Sequence, residues 1–157
     1  MKKFFIFIFF GLFLYSGEIK RDYLLSNKKA GNIEIGMEVD SLLKILDKNL
    51  IKLVNLNLEG FFSPAFEIYD REKKLSLVLE IDKFEGKWIV SRITVYDKNY
   101  KTKEGISLGS SLSDLKGNYK IDHIDTVEGY FYAIVEQLGM SFKFKPEEKE
   151  IISIIIY

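Results

Sequence analysis

The single histidine of the chain, His123, is flanked by the carboxylates of Asp122 and Asp125. A histidine beside carboxylates can serve as a general base or as a metal ligand. Zinc sites draw several ligands from histidine and cysteine, and this sequence has one histidine and no cysteine. We therefore interpret His123 as a polar loop residue, and we predict no metal and no other cofactor.

Serine and glutamate offer two other kinds of chemistry. A serine nucleophile needs a base and a group that orients the base. Ser110 and Ser111 follow Gly109 without the Gly-x-Ser-x-Gly spacing, whereas Ser111 and Asp114 have the spacing of a capping box, which predicts a helix N-cap.

Paired carboxylates could hydrolyse glycosides, and Glu59 and Glu128 stand in matching Glu-Gly-aromatic-aromatic segments. We interpret both as turn residues before a strand. A carboxylate-based hydrolase remains an alternative, but the sequence also lacks a phosphate-binding glycine loop. The protein is therefore predicted not to be an enzyme.

Aromatic side chains are the remaining candidates for a functional site. Side chains alternate between the two faces of a strand, so runs of adjacent rings direct some of them outward unless both faces are covered. Exposed rings can anchor a protein interface. Seven aromatic residues are candidates, and the alternative for all of them is a role in the core or on a covered sheet face. We predict that five of them contact a partner protein: Phe61, Phe62, Trp88, Tyr130 and Tyr132. The other two candidates are Tyr96 and Phe131.

Helical and strand patterns that could position these residues occur in the same order twice. Apolar residues at helical spacing predict a helix over Glu38–Asp47, and a shorter one is predicted over Leu112–Lys116. Alternation predicts three strands after each helix. The strands are Phe62–Tyr69, Leu75–Ile81 and Trp88–Tyr96 in the first half, and Tyr130–Val135, Met140–Lys145 and Ile151–Tyr157 in the second.

The two halves also match in sequence. Ile35-Gly36-Met37 corresponds to Leu108-Gly109-Ser110, and Glu59-Gly60-Phe61-Phe62 corresponds to Glu128-Gly129-Tyr130-Phe131. The predicted fold is α+β, with two tandem repeats of a short helical unit followed by a three-stranded antiparallel meander. The helices are expected to pack on one face of an antiparallel sheet. The repeats are predicted over residues 32–100 and 105–157 of a single domain, 32–157, after a linker over residues 17–31.

The N-terminus has the layout of a secretory signal peptide. Lys2 and Lys3 precede an uncharged apolar run of 12 residues, Phe4–Tyr15, and the small residues Ser16 and Gly17 follow. The run is shorter than the roughly 20 residues that span a bilayer. We predict that residues 1–16 are removed near Ser16; an uncleaved anchor or a buried strand is the alternative.

Composition limits the possible compartments and partners. Removing residues 1–16 takes away two of the 23 basic and none of the 23 acidic residues, which leaves a net charge of −2. Nucleic-acid binding generally requires a basic excess, so it is not expected. Without cysteine, a lipid anchor on a cysteine is excluded and stability must come from core packing. We expect a soluble bacterial protein that is periplasmic or extracellular, with membrane contact only through the transient signal peptide.

Two glycine-headed segments carry a family resemblance. Ile33–Met37 with the helix after it, and Gly105–Leu115, resemble the motif at the head of each repeat of β-lactamase-inhibitor-protein-like domains. The motif is also similar to that of small outer-membrane assembly lipoproteins. The resemblance implies an exported protein that binds other proteins. The disulfides and lipid-anchor cysteine of those families are absent, and no functional residue carries over.

These observations predict an exported, non-enzymatic protein-binding domain that uses an aromatic sheet face. An envelope factor, an enzyme inhibitor and an immunity-type protein are the forms that this function could take. A carrier of a small ligand or lipid, with a cavity between helices and sheet, is the alternative from another class.

Overall fold

The computed structural model describes residues 22–58, 61–145, 147 and 149–157, with the side chains of Leu58 and Phe61 outside the description. The predicted signal peptide, residues 1–16, lies outside the described residues. So does Glu59, one of the two glutamates considered for carboxylate chemistry.

Eight strands form one antiparallel sheet. They are β4 (Ile51–Leu58), β5 (Phe61–Tyr69), β6 (Leu75–Phe84), β7 (Lys87–Val95), β9 (His123–Val127), β10 (Tyr130–Val135), β11 (Met140–Phe144) and β12 (Ile151–Ile156). Their order is β4-β5-β6-β7-β12-β11-β10-β9. Two four-stranded meanders, β4–β7 and β9–β12, therefore join edge to edge through β7 and β12.

Four short strands form a second sheet. They are β1 (Leu24–Ser26), β2 (Lys29–Ala30), β3 (Ile33–Glu34) and β8 (Lys101–Thr102), in the order β3-β2-β1-β8. The β1–β8 pair is parallel and the other pairs are antiparallel. Residues 22–31, which the sequence predicts to be linker, thus contain a β-hairpin that buries Leu25 and Ala30.

Two helices are present in the described ranges, α1 (Val39–Ile45) and α2 (Leu112–Asn118), each of seven residues. Both lie where the apolar spacing predicts them. The capping box at α2 is confirmed, because the Ser111 side chain accepts from the backbone N–H of Asp114 while the Asp114 side chain accepts from that of Ser111. Short 3₁₀ turns occupy Lys48–Leu50 and Glu136–Leu138.

The predicted α+β class is wrong. The described chain is mostly β, with sheets of eight and four strands and two helices of seven residues, so it is not a layer of helices packed on a sheet. Each meander also has four strands where three were predicted. The two strands that were not predicted, β4 and β9, form the edges of the sheet. All five residues of β9 are exposed. A strand without a buried face shows little apolar alternation.

The core lies on one face of the large sheet. It joins residues from both meanders with Leu25, Ala30 and Ile33 of the small sheet. Each helix adds one completely buried leucine, Leu42 from α1 and Leu115 from α2. The opposite face of the large sheet is called the outer face below.

The two halves tie their helices to the sheet with matching hydrogen bonds. The N–H of Gly36 donates to the carbonyl of Val90 at 2.7 Å, and that of Gly109 donates to Ile151 at 2.9 Å. Gly36 and Gly109 have φ of +88° and +86°, in the left-handed region that glycine adopts at low cost. Each glycine thus connects its helix to the last strand of its own meander.

Candidate protein-interaction surface

Two tyrosines of β10 lie on the outer face. Tyr130 and Tyr132 alternate along the strand with Phe131 and Ala133, and Ala133 belongs to the core. Because adjacent side chains of a strand point to opposite faces, the tyrosines point away from the core. Both are half-buried, so their rings present apolar surface that neighbouring side chains already restrain.

Lys143 on β11 restrains these rings. It lies directly opposite Tyr132, and its Nζ is 3.9 Å from the ring centroid of Tyr130 and 5.4 Å from that of Tyr132. A cation within about 6 Å of an aromatic ring is attracted to the face of the ring. The lysine therefore holds the two tyrosines in one arrangement through cation–π contacts.

Tyr96, the residue directly after β7, lies on the same face. Burial raises the pKa of Tyr96 above its usual value, while the positive charge of Lys143 acts to lower the pKa and Tyr132 acts to raise it. The strand order agrees, since only β12 separates the β7 end beside Tyr96 from Lys143 on β11, which faces Tyr132. We call Tyr96, Tyr130, Tyr132 and Lys143 the tyrosine cluster.

An ion pair borders the cluster. Arg92 lies opposite Glu80, and its Nη1 is 3.2 Å from each carboxylate oxygen. Glu80 also acts on Tyr96, raising its pKa. The outer face therefore offers phenol groups, apolar ring surface and charges of both signs within one region.

The predicted interaction residues are divided between two places. Tyr130 and Tyr132 are together in the tyrosine cluster. Phe62 is 76% exposed and Trp88 is 46% exposed, and both lie on the core-bearing face, beyond the part of the sheet that is covered. The side chain of Phe61 lies outside the described residues. The sequence therefore predicted one surface where the structure has two.

Lys143, Arg92 and Glu80 are missing from the prediction. The orientation of Lys143 could have been predicted from the sequence. Lys143 alternates with the apolar Phe142 and Phe144 and must therefore face away from the core. Its neighbours, however, depend on which strand lies beside β11. Cross-strand register decides that pairing, and the sequence pattern of a single strand does not carry it.

The histidine lies beside one carboxylate on the surface. His123 Nε2 is 3.6 Å from Asp125 Oδ2, with both side chains about half exposed. Asp122 accepts a hydrogen bond from the backbone N–H of Glu136 at 2.9 Å, and this bond is the main cause that lowers the pKa of Asp122. His123 is on the exposed edge strand β9, so its prediction as a loop residue is wrong.

Two other catalytic candidates, Ser111 and Glu128, have structural roles. Ser111 caps α2, as its spacing with Asp114 predicts. Glu128 has φ of +49° and Gly129 has φ of +77° in the two-residue turn between β9 and β10. Positive φ at both positions is typical of a type I′ hairpin, which confirms Glu128 as a turn residue.

The described residues contain neither a cluster of metal-ligating side chains nor a membrane-spanning helix. No group of three or more His, Cys, Asp or Glu side chains in residues 22–58, 61–145, 147 and 149–157 could hold a metal ion. Within the same ranges, no helix has the length and apolar composition needed to cross a bilayer.

The fold defines a class of predominantly β protein, in which two antiparallel meanders share one sheet and a short helix precedes each meander. The crystal structure of the uncharacterised protein YfeY from Escherichia coli is similar, with a TM-score of 0.56 over 87% of this chain and 98% of that chain. At 15% sequence identity, this similarity concerns the fold alone. The sequence matches no family model and no curated protein.

Proposed function

We propose that this protein is exported and binds another protein through the tyrosine cluster, without catalysing a reaction. The observation that carries the proposal is the placement of Lys143 against the rings of Tyr130 and Tyr132 on the outer face. Tyrosine and arginine are enriched among the residues that dominate binding energy at interfaces. Rings held in place before association lose less conformational entropy when a partner binds.

Two features of the sequence support the same proposal. The glycine-headed segments resemble those of β-lactamase-inhibitor-protein-like domains, which are exported and bind proteins. The N-terminal layout of Lys2, Lys3 and an apolar run is that of a secretory signal. An envelope factor, an inhibitor and an immunity-type protein all fit this description.

The chain supplies a matched control for a binding experiment. Tyr130→Ala/Tyr132→Ala removes two rings from the outer face, and Phe62→Ala/Trp88→Ala removes two exposed rings from the other face. A photo-crosslinking residue at position 132 of the mature chain identifies the partner in envelope extract. Affinity for the purified partner is then measured for both double variants.

We expect the tyrosine variant to bind at least about 30-fold more weakly, since truncating each dominant interface ring costs at least about 1 kcal/mol. The Phe62/Trp88 variant should bind like the wild type. Equal weakening in both variants, or crosslinks from position 62 and none from position 132, would contradict the proposed surface.

Export is tested separately. In a bacterium that expresses the full chain with a C-terminal tag, we expect the mature protein outside the cytoplasm with an N-terminus near Gly17, as determined by mass spectrometry. Ile8→Arg places a charge in the apolar run and should retain the protein with Met1 or Lys2 at its start. Wild-type protein that remains cytoplasmic and uncleaved would contradict export.

A further inference from the structure

The two meanders can be compared residue by residue because each contains a β-bulge at the same place. In the first, the register shifts between Glu80 and Ile81, and Ile81 faces Val90. In the second, it shifts between Lys143 and Phe144, and Phe144 faces Ile151. The bulges lie beside the strand residues that bond to the two helix-heading glycines. Positions in the two halves therefore correspond when counted from the bulge.

This correspondence places Ala133 where the first half has Phe66. Phe66 faces Leu79, two residues before Ile81, and Ala133 faces Phe142, two residues before Phe144. Both are buried on the core-bearing face. A methyl group thus stands where the other half has a phenyl ring.

A cavity of about 330 Å³ adjoins Ala133. Its volume is at the lower end of the range of about 300–1,000 Å³ that is typical of small-molecule sites. Its walls are apolar, with one residue from α2 and four from β9, β10 and β11. These residues are Leu112, Ile124, Phe131, Ala133 and Phe144.

The charged residues that line the cavity are both cationic, Lys145 and Lys149. Lys149 is held by its backbone, since its N–H donates to the carbonyl of Lys145 at 3.1 Å and its carbonyl accepts from the N–H of Leu112 at 3.3 Å. Its side chain is exposed. The cavity therefore combines an apolar interior with positive charge at its rim, and no carboxylate lines it among the described residues.

We propose that this cavity is a binding site for an apolar monocarboxylic acid, with the hydrocarbon chain against Ala133, Phe131 and Phe144 and the carboxylate at Lys149. The cavity lies on the opposite face from the tyrosine cluster, so this inference does not depend on the proposed protein-binding function. Apolar contacts supply the affinity for such a ligand, and the lysine charge selects an anion over a neutral molecule.

The first test is a chain-length series, in which butanoate, hexanoate, octanoate and decanoate are titrated into the mature protein by calorimetry. Affinity should rise about fourfold for each added methylene, because burying one CH₂ is worth about 0.8 kcal/mol, until the cavity is filled. Absence of binding, or affinity independent of chain length, would overturn the proposal.

Two variants test the apolar and charged parts separately. Ala133→Phe fills the cavity with the ring that the first half has, and should weaken octanoate binding at least tenfold while the protein still melts cooperatively. Should this variant fail to fold, Ala133→Leu fills less of the space and should weaken binding by a smaller factor. Unchanged affinity in a folded variant would place the ligand elsewhere.

Lys149→Gln tests selection of the anion. It should weaken octanoate binding about two- to fivefold, as expected for one exposed charge pair, and leave 1-octanol binding unchanged. Equal effects on both ligands would overturn the role of the lysine. Phosphatidylglycerol vesicles test whether the ligand is a free acid or a bilayer surface. We expect the protein not to associate with them. Vesicle binding that Ala133→Phe does not alter would argue for a charged surface patch instead of the cavity.

Discussion

Thr94 on β7 lies directly opposite Ile155 on β12, at the junction of the two meanders. The pairs on either side cross symmetrically, Val95 with Ile154 and Ile93 with Ile156. A local twofold axis therefore passes between Thr94 and Ile155 and relates β4–β7 to β9–β12. The two β-bulges, the two helices of seven residues and the two glycine contacts obey the same symmetry.

Positions at which the two halves carry different residues are informative. Because the same fold forms with either residue at such a position, the difference is not required by the fold. Counted from the bulges, Tyr132 and Lys143 correspond to Ala65 and Glu80, which face each other in the first half. The contacts of Lys143 with the tyrosine rings therefore have no counterpart across the axis, whereas Tyr96 corresponds to Tyr157. The cavity beside Ala133 departs from the symmetry in the same way, on the other face of the sheet.

The helix-heading glycines are expected to respond to substitution as a pair. Gly36→Ala and Gly109→Ala should each cost about 1–2 kcal/mol of unfolding free energy, because a left-handed φ strains a residue with a Cβ. Apart from the adjacent residues, no described heavy atom lies within 4 Å of the Cβ that either substitution adds, so we expect backbone strain to account for the effect. Urea unfolding measures both changes.

Gly117 is the matched control for that prediction. It lies in α2 without a positive φ and with open space around its Cβ position. Gly117→Ala should therefore stabilise the protein by roughly 0.5–1 kcal/mol. If all three substitutions changed the unfolding free energy in the same direction, the conformational explanation would fail.

Substitution of Lys143 is expected to change the titration of Tyr96. The positive charge of Lys143 favours the phenolate and lowers the pKa of Tyr96 against the effect of burial. Lys143→Gln should therefore raise the pKa of Tyr96. The shift is measured by absorbance at alkaline pH and assigned with Tyr96→Phe, and Lys116→Gln on α2 should leave it unchanged. A lower pKa in Lys143→Gln would contradict the cluster geometry.

The sequence predicted correctly those elements whose conformation depends only on residues close together in the chain. The first helix, predicted from Glu38 and observed from Val39, follows from a few neighbouring residues. The same is true of the helix start at Leu112, the Ser111 cap and the turn at Glu128. The edge strand β9 was missed because all of its residues are exposed and show no strict apolar alternation. The edge strand β4 was missed although apolar residues alternate with asparagines over residues 54–58. The hairpin in residues 22–31 was missed because its buried residues, Leu25 and Ala30, are separated by a polar turn.

The candidate site was predictable only in part, because the sequence does not specify the register between neighbouring strands. Alternation places Tyr130 and Tyr132 on one face from their own strand, but their contact with Lys143 depends on the pairing of β10 with β11. The sequence match of Glu59–Phe62 with Glu128–Phe131 is not kept in the register of the sheet. Counted from the bulges, Phe131 corresponds to Pro64 and not to Phe62, since the first hairpin is longer.

The capping box of α2 should make the stability of the protein depend on pH. Ser111→Ala should cost about 1 kcal/mol. Hydrogen bonds from the Ser111 hydroxyl and backbone N–H hold the pKa of Asp114 below its usual 3.8. A lowered folded-state pKa stabilises the protein fully above pH 3.8, and this contribution is lost as the pH falls through the folded-state value.

Urea unfolding of the wild type and Asp114→Asn between neutral and acidic pH tests this dependence. The difference in unfolding free energy should be constant above pH 3.8 and shrink below it. Asp40→Asn is the control, because α1 has an acidic residue in its first turn but no side-chain cap. A difference that grew on acidification would contradict the assignment.

Phe66→Ala should open in the first half the space that Ala133 leaves in the second, at a cost of about 3–5 kcal/mol of unfolding free energy. The new cavity should bind octanoate more weakly than the wild-type site does. Counted from the bulge, Lys145 and Lys149 correspond to Asp82 and Trp88, so the first half has no positive charge at either rim position. Calorimetry on this variant therefore separates the contribution of the lysines from that of the apolar cavity. A second octanoate site of equal affinity would mean that an apolar cavity alone is sufficient, and that the charged rim does not select the ligand.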